Sequence, residues 1–201
     1  MLIRTHKFYL LKLLIGFRIG FLSIVNNVFN MSCLKVSILN GFNIQIELNL
    51  KYLYSLLLFL KKHSLYLLDM LTDITCCEFL GFKFRFLLIY TLLSVKHGGL
   101  RLILKIKTLE QSFSLLSVTS IYNSANWSER EIFDFFGLFF LYNKDLRRIL
   151  LDYGFSGYPL RKDFPLSGFI EVYYDDTIKK ITYDNVNLTQ EYRIFFFPKN
   201  T

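Results

Sequence analysis

Asn40-Gly41 stands between two runs whose apolar residues alternate, Leu34 to Leu39 and Phe42 to Leu48. A two-residue hairpin turn needs positive φ at both central positions, and Asn-Gly meets that need at the lowest steric cost. The two runs are thereby expected to pair as a hairpin. In the second run Phe42, Ile44, Ile46 and Leu48 share one face, with Asn43, Gln45 and Glu47 on the other.

The period then changes. From Tyr52 to Lys62 the apolar positions Leu53, Leu56, Leu57 and Leu60 recur at helical spacing, and Lys61 and Lys62 suit a helix C-terminus. Strands are expected at Tyr66–Thr75 and Phe82–Ser94. A turn at Lys96–Gly99 leads to a further strand, in which Leu102, Leu104 and Ile106 alternate with Arg101, Lys105 and Lys107. The fold class is α+β: a mixed or antiparallel sheet with a few helices, followed by an extended C-terminal segment.

The texture changes at Asn123. Ser124 or Asn126 is placed to cap a helix that runs to Phe136 and stops at Gly137. Turn signals follow: Asp152-Tyr-Gly154, Ser156-Gly157, Tyr158-Pro159 and Phe164-Pro165. Gly168–Asp175 and Lys179–Asp184 are placed to pair around Asp176-Thr177. The expected division is an α+β domain over 1–137, with residues 1–42 its N-terminal helix and hairpin strand. A turn-rich docking segment spans 138–201; it has little core of its own and needs a surface to lie on.

The high apolar content (53%) and mean hydropathy (+0.35) raise the membrane question. Phe8 to Val25 approaches a spanning length, but Lys12 and Arg18 lie inside it, and each charge near a span centre costs roughly 2.5–3.5 kcal/mol. An amphipathic or buried helix is the simpler reading; a small interaction protein anchored in a membrane by residues 8–25 is the alternative. The chain has 22 Phe and 13 Tyr but a single Ala, at Ala125. Folding favours no such bias, since Ala is the best helix former. AT-rich codons produce it, as in an organellar genome. No import or secretion signal is evident at the start. Both points fit a protein made where it works.

Residues 1–123 carry a net charge of +9 and residues 124–201 a net charge of −1. In the basic half these residues are scattered singly among apolar ones, with only Lys61–Lys62 adjacent, which suits a solvated or protein-facing surface rather than nucleic acid. Cys33, Cys76 and Cys77 are odd in number and include no CxxC spacing. They argue against a disulfide framework, and against a zinc or iron–sulfur site contained in this chain. His6, His63 and His97 have no metal-ligand spacing.

Glu129, Glu131 and Asp134 form the tightest carboxylate cluster. Glu131 and Asp134, three apart on one helix face, could hold a cation or work as an acid/base pair. The simpler reading is ion pairing, with Arg130 four residues before Asp134 and with Arg147, Arg148, Arg161 and Lys162 nearby in sequence. No Gly-rich phosphate loop accompanies those basic residues, and there is no GxSxG. Phe133, Phe135, Phe136, Phe139, Phe140 and Tyr142 read as core. No catalytic group emerges.

Three stretches carry more information: NWSEREIFDFFGLFF from Asn126, DLRRILLDYGFSGYPLRKDFPLSGFIEVYYD from Asp145, and LTQEYR from Leu188. They resemble subunit 9 of mitochondrial NADH dehydrogenase and its bacterial counterpart, a family within respiratory complex I. Weaker likeness continues upstream through Leu71–Phe79, Leu92–Val95 and Ser117–Trp127. Tyr153-Gly-Phe155 and Phe164-Pro-Leu166 resemble the mitochondrial and bacterial type rather than the plastid one. Two departures stand out. Asn143-Lys144 replaces the family's usual His-Pro, which relaxes the turn there. Phe79-Leu80-Gly81 replaces its usual acidic and proline residues.

The resemblance implies a non-catalytic subunit of proton-pumping NADH:ubiquinone oxidoreductase, in the matrix-facing peripheral arm at the mitochondrial inner membrane, and a mitochondrial gene. It implies no cofactor on this chain, with FMN, iron–sulfur clusters and ubiquinone on neighbouring subunits. The chief partner would be the large hydrogenase-like subunit that forms the quinone pocket. The C-terminal segment would lie extended over neighbours. Arg147, Arg148, Arg161, Lys162 and Asp163 would make charge-assisted interface contacts, with Trp127, Tyr153 and Phe155 as apolar anchors and Asp152 in the same motif. Intrachain ion pairs compete for the charged residues, and core packing is the simpler role for Trp127. A basic nucleic-acid binder and a free-standing enzyme using Glu131 and Asp134 are the remaining rivals.

Overall fold

The computed structural model describes residues 35–39, 43–64, 66–82, 84–97, 99–108, 114–190 and 193. The two runs do pair: β1 (Lys35–Leu39) is antiparallel to β2 (Asn43–Leu48), but Leu39 faces Asn43, so three residues rather than two join them; 40–42 lie outside the described residues. A 3-10 turn at Leu50–Tyr52 leads into α1 (Leu53–Lys62), which buries the four expected leucines. Then come β3 (Met70–Glu78), β4 (Phe86–Ser94) and β5 (Leu100–Thr108). The five strands lie in the order β1-β2-β5-β4-β3. Only β2 and β5 pair in parallel, so the sheet is mixed.

One sheet face is fully covered. Ile44, Ile46 and Leu48 from β2, Leu88, Tyr90 and Leu92 from β4, and Leu102, Leu104 and Ile106 from β5 are buried with the α1 leucines. Period-two alternation along β4 and β5 produces this face.

Two strands depart from the sequence expectation at their ends. Residues 66–69 do not join β3. The chain turns tightly out of α1, with the Tyr66 and Leu67 N–H groups on the His63 carbonyl and Leu67 at φ 42°. Tyr66 and Leu68 fill the core instead. The strand runs on through Cys76 and Cys77 to Glu78, because β4 offers partners as far as Phe86. β4 starts at Phe86 rather than Phe82, since the Phe79 N–H closes a turn onto the Arg85 carbonyl and leaves Phe82 and Phe84 exposed.

β6 (Ser114–Leu116), α2 (Ala125–Phe136) and β7 (Phe139–Leu141) form a crossover unit in which β6 and β7 are parallel. Neither strand is foreseen in the sequence. α2 begins and ends where expected, with Gly137 at φ 71° closing it. Ser124 is at the capping position but does not cap; its hydroxyl donates to the Leu71 carbonyl, tying α2 to β3. After a turn-rich stretch, β8 (Ile170–Asp175) and β9 (Lys180–Asn185) make a separate antiparallel ribbon. Among the described residues no helix is long and apolar enough to cross a membrane; the run 8–25 lies outside them.

Candidate functional site: a strap seated on helix α2

Helix α2 buries three charged side chains, Glu129, Arg130 and Asp134. An unpaired buried charge costs several kcal/mol, so each must be answered by donors or acceptors. The segment after β7 supplies most of them.

Glu129 ties together the ends of both strands of the crossover unit. Its carboxylate accepts from the Ser117 hydroxyl (2.7 Å) and the Val118 N–H (2.8 Å) beyond β6, and from the Asn143 side-chain amide (2.9 Å) beyond β7. Burial pushes its pKa up, and the three donors offset that only in part. Asn143, one of the two departures from the family pattern, thus has a defined role. Its carbonyl oxygen also accepts the Asp145 N–H, holding the turn that a proline would otherwise stiffen.

Asp134 collects three consecutive backbone donors. The N–H groups of Ile149 (3.1 Å), Leu150 (2.9 Å) and Leu151 (3.0 Å) meet one oxygen, and Arg148 Nη1 (3.1 Å) meets the other. Burial raises its pKa, but these donors outweigh burial and hold the carboxyl below its ordinary value. The arginine expected to pair with Asp134 was Arg130; the loop brings Arg148 instead. Arg130 reaches the Arg147 carbonyl (3.3 Å) and Asp145 (3.9 Å), and lies over the Trp127 ring.

The far end of the strap is seated on the sheet domain. Arg161 Nε donates to the Phe136 carbonyl (2.6 Å), answering an open acceptor at the C-terminus of α2. Its guanidinium lies 4.5 Å from the Tyr158 ring centre. Gly137 makes room for this: a Cβ there would stand 2.6 Å from both Arg161 Nη2 and the Tyr158 ring. Buried Glu78 accepts from Arg85 and from the Lys162 N–H, and Arg85 also pairs with Asp163 (2.5 Å).

The structure therefore divides the candidate residues. Glu129, Arg130, Asp134, Arg148, Arg161 and Asp163 are engaged within the chain. Glu131 is exposed while Asp134 is buried, so the two do not converge as an acid/base or cation-binding pair. Trp127 is not in the core; it is 64% exposed on the outer face of α2. Arg147 is exposed and pairs with Asp145 at the surface (3.1 Å), Lys162 is exposed, and Tyr153 is completely exposed. Phe155 is half-buried against Phe164, and Asp152 accepts from the Tyr183 hydroxyl (3.2 Å). Glu78 and Arg85 were missed, because they become partners only through β3–β4 pairing. Cys76 is partly buried and Cys77 exposed, both as free thiols, and no cluster of potential metal ligands occurs among the described residues.

The profile of the family described as respiratory-chain NADH dehydrogenase, 30 kDa subunit, matches residues 46–170, which contain the end of β2, α1, β3 to β5, α2 and the strap as far as the start of β8. The chain belongs to this family. The subunit is 46% identical over 148 residues to NADH-ubiquinone oxidoreductase subunit 9 of Prototheca wickerhamii, covering 73% of this chain and 76% of that one. With subunit 9 of Acanthamoeba castellanii it shares 40% over 196 residues, 96% and 92% of the two chains. With NADH dehydrogenase [ubiquinone] iron-sulfur protein 3 of Solanum tuberosum it shares 43% over 152 residues, 75% and 78%. Two solved structures share its fold. A trypsin-resistant fragment of Nqo5 aligns with TM-score 0.52 at 23% identity, over 62% of this chain and 98% of the fragment. A chain of the membrane-bound sulfane sulfur reductase, an archaeal respiratory membrane complex, aligns with TM-score 0.60 at 21% identity, over 73% and 86%. The subunit is thus a component of the respiratory NADH dehydrogenase, an oxidoreductase complex.

Proposed function

We propose that this subunit is a docking element of the peripheral, matrix-facing arm of mitochondrial complex I. It holds the hydrogenase-like quinone-pocket subunit in register and carries no flavin, iron–sulfur cluster or quinone of its own. Residues up to 137 act as a bracket and residues 138–201 as a strap. The observation that carries this reading is the unequal use of the strap's side chains. Arg148, Arg161 and Asp163 are spent on its own domain, which fixes the strap's path, while large apolar groups such as Tyr153 and Leu166 point outward. Such a segment is shaped to offer apolar anchors to a neighbour. Trp127 extends the same offering from α2, and exposed Lys162 adds a charge beside the strap's anchors.

The three cysteines do not supply the four thiolates of a usual iron–sulfur cluster, despite the phrase "iron-sulfur protein" in some relatives' names. The AT-rich residue usage supports a mitochondrial gene. Native separation of detergent-solubilised inner membranes, with in-gel NADH oxidation and crosslinking mass spectrometry, tests the reading. The chain is expected in the active band, with strap residues crosslinked to the quinone-pocket subunit. Its absence from that band, or crosslinks confined to the sheet domain, overturns the docking role.

A further inference from the structure

Glu129 holds both strands of the crossover unit through one titratable carboxylate, and its two oxygens are not equivalent. Oε1 accepts the Val118 N–H (2.8 Å). Oε2 accepts the Ser117 hydroxyl (2.7 Å) and the Asn143 side-chain amide (2.9 Å). Behind Ser117 stands a second hydroxyl. Thr119 Oγ1 lies 2.7 Å from Ser117 Oγ, and the Thr119 N–H donates to the same oxygen (3.2 Å). Since the Ser117 hydrogen is given to Glu129, the Thr119 hydroxyl must be the donor between the two. Glu129 is completely buried, whereas Thr119 is partly exposed and lines a surface pocket together with Asn143.

A proton taken up by Glu129 has one acceptable place. On Oε1 it would meet the Val118 N–H, donor against donor, so it belongs on Oε2. The hydroxyls supply the route: Ser117 passes its proton to Oε2, Thr119 passes its own to Ser117, and solvent replaces the one on Thr119. The chain of bonds ends reversed, with the carboxyl O–H donating to Ser117, Ser117 to Thr119, and Thr119 to water. Every group on the β6 side therefore keeps a partner. Asn143 cannot reverse. Its amide nitrogen only donates, and its carbonyl oxygen is held by the Asp145 N–H (3.1 Å). It exchanges a carboxylate for the hydroxyl oxygen of a neutral acid, a weaker acceptor. The residue before it, Tyr142, sits at φ 66°, a strained conformation for a side chain with a Cβ, and is 84% exposed. The Asn143 bond thus restrains a strained turn.

We infer that Glu129, Ser117 and Thr119 form a proton-operated latch, in which uptake of one proton from solvent keeps β6 tied to α2 and loosens the turn 142–145 at the entry to the strap. Burial favours uptake, because it raises the pKa of Glu129. From the sheet, Tyr90 of β4 is near enough to feel the Glu129 charge; burial pushes that hydroxyl's pKa up, so Tyr90 stays neutral. On α2 itself, Arg130 turns away to the Arg147 carbonyl and Asp145, and Asp145 also pairs with Arg147.

Amide hydrogen exchange of the chain in the purified complex, corrected for the pH dependence of free amides, reads both sides of Glu129. The Val118 N–H reports on Oε1 and the Asp145 N–H on Asn143. Glu129→Gln fixes the uncharged arrangement at any pH: its carbonyl takes the Val118 N–H, and its amide donates to Ser117 and meets Asn143 as a second donor. At neutral pH this variant is expected to speed exchange at Asp145 about fivefold and to leave Val118 unchanged. The natural chain is expected to move the same way as pH falls. Asn143→Ala removes the latch and is expected to exchange fast at Asp145 at every pH. Equal loosening at Val118 and Asp145 in Glu129→Gln, or none at either, overturns the latch. If that variant fails to enter the complex, the pH profiles decide: an Asp145 rate that does not rise on acidification in the natural chain, or rises equally in Asn143→Ala, overturns it.

Discussion

Strands β5 and β8 have the same texture in sequence, apolar and polar residues in alternation, and opposite fates in the fold. Leu102, Leu104 and Ile106 of β5 are completely buried, whereas Ile170, Val172 and Tyr174 of β8 are more than half exposed. β5 lies between β2 and β4, and α1 covers its apolar face. Among the described residues β8 has a single partner strand and no helix packed on it. Alternation therefore specifies a face to be buried; what covers it depends on the elements near it, and among the described residues the loop 152–156 is what faces β8 across a groove. The first region completes its own core. The second is tied to the strap by hydrogen bonds, Tyr183 to Asp152 and the Val186 N–H to the Phe169 carbonyl, and its apolar side chains stay more than half exposed.

The largest expected effect sharpens that contrast from the core side. Leu104→Ala removes a buried side chain at the sheet centre and should cost about 2–5 kcal/mol, read as a lowered urea midpoint of the subunit. Equal loss on truncating Ile181 would break the comparison.

Next is the seat of the strap. Asp134→Ala leaves three backbone N–H groups and Arg148 without their acceptor and should cost roughly 2–3 kcal/mol. Limited proteolysis should then cut between residues 142 and 164 before the sheet domain unfolds. Because the folded carboxyl sits below its unfolded value near ~3.9, its contribution is complete above that pH and is lost as pH falls through the lower folded value. Asp134→Asn should lack that acid limb.

Gly137→Ala combines a positive φ with a Cβ pressed against Arg161 and Tyr158, and roughly 1–2 kcal/mol is expected. Strap cleavage should rise with it; an unchanged cleavage pattern would separate Gly137 from the strap.

Glu129 should act in the opposite sense to Asp134. Its folded pKa is raised, so the folded state holds the proton more tightly, and stability falls as pH rises from the unfolded value through the folded one. Glu129→Gln should abolish that slope in denaturation curves taken across the acid range.

The smallest effect is expected at Tyr153 and Ile181. Substitution of either by Ala should change the stability of the isolated chain by no more than about 0.5 kcal/mol. Under the docking reading, retention of the same variants in the solubilised complex should drop several-fold. Loss of stability without loss of retention would assign these residues to the chain's own core.

Local signals were legible wherever a residue's neighbours in sequence are also its neighbours in space. The hairpin around Asn40-Gly41, the four leucines of α1, the stop of α2 at Gly137 and the β8–β9 pairing all follow from periodicities and turn chemistry within a few residues. Strand ends were less legible. The start of β3 is set by how the chain leaves α1, and its end by how far β4 reaches.

The family's motifs marked the strap as informative, but the partners within it were not readable. Asp134 takes its donors from residues 148–151, Glu78 from Arg85 and Lys162, and Glu129 from Ser117, Val118 and Asn143. Charge makes any opposite group an acceptable partner, so proximity alone chooses among them.

The sequence by itself determined a mixed-period chain, a sheet with helices and then a turn-rich segment, and the family to which it belongs. Only the tertiary structure decided which charges are consumed inside the molecule and which apolar face is left uncovered. The physical reason is range. Backbone propensity and side-chain periodicity act over one or two turns, whereas burial and ion pairing depend on what the whole chain brings alongside.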